Sequence, residues 1–349
     1  MSRLQYIALD THQSFCDMAV LNSQGDVVKR ERCSTDIPSL VGLLQAVAGR
    51  RKLTFEEGPM AGWLARNLRE HVEELIVCEP RRNAYIAKDG DKDDPIDAVK
   101  LAQLLRGGYL KAVHQVDCLD RELLKQHVAF YHHRVRERVR QGHQITSLLR
   151  RQGVFATIAE LADPQTRRTF WKKMPQHAVL QRDLNALWAV YELMCTQEEQ
   201  IRADLVRLAR RHEPVRRFVE VPGISWIRAA TFYVYLDTPQ RFTKKSALWR
   251  YCGIGLERHR SGTGPTRVRL AKAANRHLKN MLMGAARSAA ARAETPFADK
   301  YQYWTQEKGQ HPVTAYRNVA RTIASMLWGM WKDGSKYDPD LIRGVGRKD

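Results

Sequence analysis

Two of the short apolar runs in the first hundred positions end in a carboxylate, and that pairing constrains the fold more than any other feature. Asp10 closes Tyr6-Ile7-Ala8-Leu9, and Glu56 closes Leu53-Thr54-Phe55. Runs this short, rich in branched and aromatic residues, read as buried strands rather than helices. An acid at the end of such a run sits where a sheet meets solvent.

The segments between them fill in the order. Phe15–Asn22 reads as a second strand, Ser23-Gln24-Gly25-Asp26 as a turn, and Val27–Cys33 as the hairpin partner. Pro38–Ala48 is predicted helical, with Leu40, Leu43, Leu44 and Val47 on one face. A helix over Pro59–Val72, a strand over Leu75–Cys78 and a helix over Pro95–Leu105 follow. Three strands, then helix, strand, helix, strand and helix, make an α/β layer with a mixed sheet. The ribonuclease H-like fold has this order. The actin-like kinase and ATPase fold also opens on an Asp-ending strand and a hairpin. It needs a Gly-rich phosphate turn after the Asp, and this chain has Thr11-His12-Gln13-Ser14 there.

Charge divides the chain. Residues 1–110 hold 15 basic and 16 acidic residues, whereas 111–349 hold 43 and 22. A balanced part bearing an acidic site, followed by a strongly basic remainder, points to chemistry in one domain and polyanion binding in others. The six cysteines, at 16, 33, 78, 118, 195 and 252, have no C-x-x-C or zinc spacing and read as buried, reduced thiols of a cytoplasmic protein. No secretory signal is recognisable, and no apolar run approaches the roughly 20 residues of a membrane span.

A long helical pattern covers 119–152, with Leu124, Val128, Tyr131, Val135, Val139, Ile145 and Leu149 as its apolar face. Arg134, Arg136, Arg138 and Arg140 lie among them. A charge run is commonly a solvated face, but the nearly uniform sign here favours phosphate contact. A second pattern covers about 180–211, so the two would form an antiparallel hairpin or a dimeric coiled coil. From Phe218 onward the chain reads as mostly α. Helices are expected near Ala229, over Lys245–Tyr251, over 271–292 and over 312–331, with an Arg-rich loop punctuated by Gly253, Gly255, Gly262 and Gly264.

Asp94 and Asp97 are three apart at a helix start and so share a face. Such a position attracts Asp for dipole reasons alone. Together with Asp10 and Glu56, however, they offer the hard oxygen ligands that Mg2+ or Mn2+ prefers. Two such ions about 4 Å apart stabilise both the attacking and the leaving oxygen of phosphoryl transfer.

These residues, taken with the far end of the chain, resemble the DEDD insertion-sequence transposases. Ile7-Ala8-Leu9-Asp10, Phe55-Glu56-Glu57-Gly58-Pro59 and Asp94-Pro95-Ile96-Asp97-Ala98 match the family's four metal-binding acids in order, and the second stretch selects Glu56 over Glu57. Val221-Pro222-Gly223-Ile224 is similar to its Pro-Gly-Ile-Gly turn, with Ser225 in place of the second Gly. Tyr251-Cys252-Gly253-Ile254-Gly255, Arg260-Ser261-Gly262 and Asn275-Arg276-His277-Leu278-Lys279 resemble its later motifs, with Ala274 where the family has Gly.

The resemblance implies three parts. They are an RNase H-like (RuvC-like) DEDD domain at 1–118, a basic helical or coiled-coil region at 119–212, and a mostly α transposase domain at 213–335. It implies that Ser261 is the nucleophile of DNA cleavage and rejoining; local sequence alone reads Ser261 as a turn residue. Further implications are a divalent-metal site of two ions at Asp10, Glu56, Asp94 and Asp97, an element-encoded guide RNA, donor and target DNA, and a homodimer or homotetramer. Arg258, Arg260, Arg267, Arg269, Lys272, Arg276 and Lys279 surround the serine in sequence and complete the expected nucleic-acid surface with the four arginines of the first long helix. Trp226, Trp249, Tyr251 and Trp304 could stack on bases or fill a core. Two other readings stand beside this one: a metal-dependent, Holliday-junction resolvase-like nuclease without a covalent intermediate, and a nucleic-acid-binding protein without catalysis.

Overall fold

The computed structural model describes residues 3–80, 94–114, 118–259 and 267–343, and of residues 94–96, 164, 259, 267 and 343 the backbone alone. The chain divides into two compact units, Met1–Cys118 and Leu119–Asp349.

The first unit is a five-stranded mixed sheet with helices on both faces. Its strands are β1 (Leu4–Thr11), β2 (Phe15–Leu21), β3 (Val27–Ser34), β4 (Arg50–Glu56) and β5 (Glu74–Cys78), and its helices are α1 (Ile37–Gln45), α2 (Ala61–Leu68) and α3 (Asp94–Arg106). The spatial order is β3-β2-β1-β4-β5. The first three strands are antiparallel neighbours, and β1, β4 and β5 run parallel. Asp36 starts α1 by accepting from the Ser39 amide, and Pro38 fits the first turn because it lacks an N–H.

Alternation along the strands feeds two separate cores. Ile7, Leu9, Met18, Val20, Leu53 and Phe55 point toward α1 and α2, where Leu40, Leu44, Leu64 and Leu68 meet them. Ala8 and Leu21 point the other way, onto Leu101 and Ala102 of α3, and Ala19 meets Ala98 and Val99. The small residues on this second face let α3 lie close across β1, β2 and β4. At the edge, β3 carries Lys29, Arg30, Glu31 and Arg32, and a charged edge discourages further strand pairing.

The second unit is almost wholly helical: α4 (Leu119–Arg151), α5 (Ile158–Leu161), α6 (Pro164–Lys173), α7 (Ala178–Ala209), α8 (Glu213–Phe218), α9 (Trp226–Leu236), α10 (Lys245–Tyr251), α11 (Arg276–Ala290), α12 (Pro296–Gln302), α13 (Pro312–Asp333) and α14 (Asp340–Arg343). Helices α4 and α7 pair antiparallel within the chain. His127 meets the Ile201 carbonyl at 3.1 Å, Arg138 donates to Glu198 at 2.6 Å, and Gln141 donates to the Leu187 carbonyl at 3.0 Å. The tip of this pair is closed by α5 and α6, which bring Leu161, Phe170 and Met174 onto Ile145, Leu149, Leu184 and Trp188. At its base, Leu124, Val128, Leu205 and Ala209 enter the same core as α8, α9, α11 and α13.

The Gly- and Arg-rich segment contains a two-stranded antiparallel ribbon, β6 (Leu256–His259) and β7 (Arg267–Leu270), where the sequence reads as loop. Four-residue strands with Leu256 and Val268 about half exposed carry too little apolar alternation to register. The cysteines are free; Cys16, Cys78 and Cys252 are buried, but Cys118 is exposed, against the expectation for all six. Burial pushes the Cys33 thiol up to about 11, with nearby Cys16 adding to the effect.

Candidate metal centre and nucleic-acid surface

Register determines which acids share a surface in the first unit. Asp10 on β1 is paired across the sheet with Asp17 on β2, and Asp17 with Arg32 on β3. On its other side β1 runs parallel to β4 with Leu9 beside Phe55, so the next step sets Asp10 beside Glu56. By the two-residue period, Asp10, Asp17 and Glu56 lie on the face of Ala8, Ala19 and Thr54, which is the face that α3 covers. Asp97 is in the first turn of α3, next to Ala98 on the packed side, and is half-buried. The strand ends and the helix start therefore meet at one edge of this layer.

Asp94 opens α3, and its side chain lies outside the description. Among the described residues, no group of three or more His, Cys, Asp or Glu side chains is close enough to hold a metal. Asp10, Glu56 and Asp97 thus share a face and an edge without closing into a three-ligand cage. The donor set is carboxylate throughout, which suits a hard cation such as Mg2+ rather than a soft one.

Two neighbours of this edge were not legible in the sequence. His12 Nε2–H donates to Asp10 Oδ2 at 3.1 Å, and its ring stacks on Phe15 at 4.5 Å. Asp17, nearly buried, is taken up by Arg32 through two bonds of 2.8 and 2.7 Å. Arg32 in turn covers the Phe15 ring at 4.2 Å. Asp17 is therefore spent on an ion pair. Both residues follow from the alternation of β2 and the tight turn after Asp10, once the register is known.

In the second unit the arginines of α4 fall into two sets. Arg134 and Arg138 are half-buried and bonded, to Glu137 at 2.9 Å and to Glu198 at 2.6 Å respectively. Arg136 and Arg140 are exposed, one turn apart on one face. On the ribbon, Arg258 and Arg269 are exposed, and in the segment leading into α11 so are Lys272, Arg276 and Lys279. Arg260 and Ser261 lie outside the described residues, as does the side chain of Arg267.

The motifs around them have clear local physics. Gly223 sits at φ +85°, and a Cβ there would stand 2.4 Å from the Ala285 carbonyl, so the turn requires glycine to pack against α11. Ser225 caps α9 by accepting from the Arg228 amide. A helix start explains why a serine serves where the related turn has glycine. Asn275 caps α11 through the amides of His277 and Leu278, which fixes where that helix begins.

Two family models match the chain. A DEDD-type transposase family model from IS110 elements matches residues 7–153. The model of the "Transposase IS116/IS110/IS902 family" matches residues 215–302. Together they cover about two thirds of the chain, and both name the same class. No curated relative matches the chain. Among the described residues, no helix is long and apolar enough to cross a membrane. The mixed five-stranded sheet is consistent with a ribonuclease H-like fold, and a DEDD enzyme of this kind implies a divalent metal and DNA as substrate. The chain belongs to the IS110 family of DEDD insertion-sequence transposases and is a DNA transposase, an enzyme of DNA recombination.

Proposed function

We propose that Asp10, Glu56, Asp94 and Asp97 hold two divalent ions, Mg2+ or Mn2+, and that Ser261 is the nucleophile that cuts and rejoins DNA strands. The observation that carries this reading is the register that sets Asp10 beside Glu56 on the face covered by α3. Carboxylates on adjacent strand ends and a helix start are the donors a phosphoryl-transfer site requires. When bound, the ions would neutralise charge on the scissile phosphate and lower the barrier to attack.

The serine chemistry balances without further reagents. Ser261 Oγ gives up its proton and forms an ester bond to phosphorus, and the bond from phosphorus to one sugar oxygen breaks. That oxygen leaves and is protonated. Rejoining reverses the exchange, with the hydroxyl of a second strand end attacking the phosphoserine and returning the serine hydroxyl. A serine hydroxyl is a weak nucleophile unless it is activated, so the serine and the acids must act together. On this reading residues 1–118 form the RNase H-like domain, 119–212 a basic helical region and 213–335 the serine-bearing domain. Arg136 and Arg140 of α4, with Arg258, Arg260, Arg267, Arg269, Lys272, Arg276 and Lys279, serve the phosphate backbone, whereas Arg134 and Arg138 are held by Glu137 and Glu198. An element-encoded RNA supplies target choice by pairing, so the protein reads backbone and helix shape. A homodimer or homotetramer joins the two half-reactions.

The test is covalent trapping. Incubating the protein with labelled DNA and denaturing it should leave a protein–DNA adduct that Ser261→Ala and Asp10→Ala both abolish. Cleavage at full rate in Ser261→Ala would assign the cut to water, as in a resolvase-like nuclease. Rearrangement at full rate in Asp10→Ala would remove the acids from the chemistry.

A further inference from the structure

A cavity of about 760 Å3 opens in the second unit, walled by α10, α12, α13 and the C-terminal turn. Three indole rings line it: Trp249, Trp304 and Trp328. Two are fixed. Trp249 Nε1–H donates to the Arg321 carbonyl at 3.2 Å and to Ser325 Oγ at 3.0 Å, and Trp328 Nε1–H donates to the Pro239 carbonyl at 2.8 Å. The third is not: Trp304 Nε1 is shielded from solvent and has no hydrogen-bond partner among the described residues. A buried N–H left unpaired costs about 1–3 kcal/mol, and such a group calls for an explanation. Trp304 also stands in a π-helical segment, Tyr303–Glu307, a geometry that is rare and often found at functional sites.

The charge of the wall is one-sided. Five of its side chains are cationic and two acidic. Lys300 and Arg321 are half-buried, and neither has an acidic partner among the described residues. Arg321 spends its bonds on the Ile254 carbonyl at 2.7 Å and Asn318 Oδ1 at 2.9 Å. Burial holds both cations below their ordinary pKa, which an anion placed beside them would reverse. The C-terminal family match ends at residue 302, so Trp304, Arg321 and Trp328 lie beyond it.

We propose that this cavity is a nucleotide pocket that takes one unstacked base of a single-stranded nucleic acid among its tryptophans and the adjoining phosphate on Lys300, Arg321 and Lys245. The volume lies within the range of small-molecule pockets. Flat rings offer a face to any base, and Lys300, Arg321 and Lys245 offer the phosphate its counter-charge. The pocket is lined by residues of the second unit alone, so it does not depend on the metal reading. DNA and RNA share the chemistry it recognises.

Full-length protein is titrated with a single-stranded oligonucleotide of about six nucleotides, as DNA and as RNA, with tryptophan fluorescence as the readout. Saturable quenching is expected with at least one of the two, and whichever sugar binds identifies the source. Trp304→Leu should weaken that binding about tenfold, and Trp304→Phe, which keeps a ring, by less. Lys300→Gln should also weaken it severalfold. Arg30→Gln, on the exposed edge strand β3, should leave it unchanged, which separates this site from a general loss of positive charge. A second measurement does not depend on how the variants fold: photocrosslinking wild-type protein to a 5-bromouracil-containing strand should place the adduct on Trp304 or Trp249. Equal affinity in Trp304→Leu and Lys300→Gln, no quenching by either strand, or adducts confined to other segments would overturn the proposal.

Discussion

Asp10 and Asp17 face each other directly across β1 and β2, and Arg32 holds Asp17 through two hydrogen bonds. Like charges opposite one another destabilise an antiparallel pair. The Asp17–Arg32 pair therefore offsets the repulsion between the two facing strands. Arg32→Ala should destabilise the protein by about 2 kcal/mol, because it leaves a nearly buried carboxylate unpaired next to another acid. Asp17→Asn in the same chain should recover most of that loss. Urea unfolding of the two single variants and the double variant gives the coupling; additive effects would mean that the pair does not act as a unit.

His12 holds Asp10 in place without belonging to the expected ligand set. Partners of a ligating carboxylate typically matter tenfold or more for metal affinity or activity. In His12→Ala, the Mg2+ concentration for half-maximal DNA cleavage should rise severalfold, while the rate at saturating Mg2+ stays within about twofold. His12→Gln, which can donate the same bond, should restore much of the affinity. A fall in the saturating rate with no change in metal requirement would put His12 in the chemical step instead.

Arg121 is the clamp of the second unit. It donates to the Asp237 carbonyl at 2.6 Å, to Asp237 Oδ1 at 3.0 Å and to the Tyr233 hydroxyl at 3.1 Å, and its guanidinium lies 4.9 Å from the Tyr233 ring centre. Asp237 is buried at the end of α9 with φ +73° and ψ −50°, a rare and strained γ-turn geometry. Arg121→Ala should cost about 3 kcal/mol by stranding that carboxylate. A change below about 1 kcal/mol in chemical denaturation would show that water satisfies Asp237 instead.

Three histidines of the second unit make stability depend on pH. Burial lowers the pKa of His132, His212 and His277 from the ordinary 6.5, and neighbouring His277, Arg121 and Arg136 add to the effect for His132, His212 and His277 respectively. A base whose folded pKa is depressed is neutral in both states above 6.5. Below that value the unfolded chain gains protons that the folded one does not, so stability falls as pH drops from 6.5 toward the folded pKa. Denaturation midpoints at about pH 7.5 and about pH 5.5 should differ in that direction, and less so in His132→Gln/His277→Gln. An equal slope in the variant would assign the dependence to other groups.

Most of the first unit could be read from alternation alone, because β1, β2 and β4 are short, apolar and bounded by turn residues. The acids at 10 and 56 could be read as strand ends for the same reason. That they share a face could not, since a one-residue slip in register would separate them. Asp17 looked like any strand acid until Arg32 stood opposite. In the second unit the long helices α4 and α7 were plain from their periodicity, whereas α5 and α6 were not. The signals for both are present: Thr157 and Glu160 form a capping box, and Asp163 caps a helix that opens on Pro164. Helices of 4 and 10 residues, however, carry too few turns to establish a period. Arg138 looked equivalent to Arg136 in sequence, and only the packing of α7 distinguishes them.

Divalent-ion binding tests the central claim most directly. Mn2+ titrated into the full-length protein, followed by paramagnetic resonance or calorimetry, should report two sites, and Asp10→Asn, Glu56→Gln, Asp94→Asn and Asp97→Asn should each weaken them at least tenfold and abolish DNA strand cleavage in parallel. Undiminished Mn2+ binding and full cleavage in Asp10→Asn and Glu56→Gln would contradict the assignment of these acids to the metal.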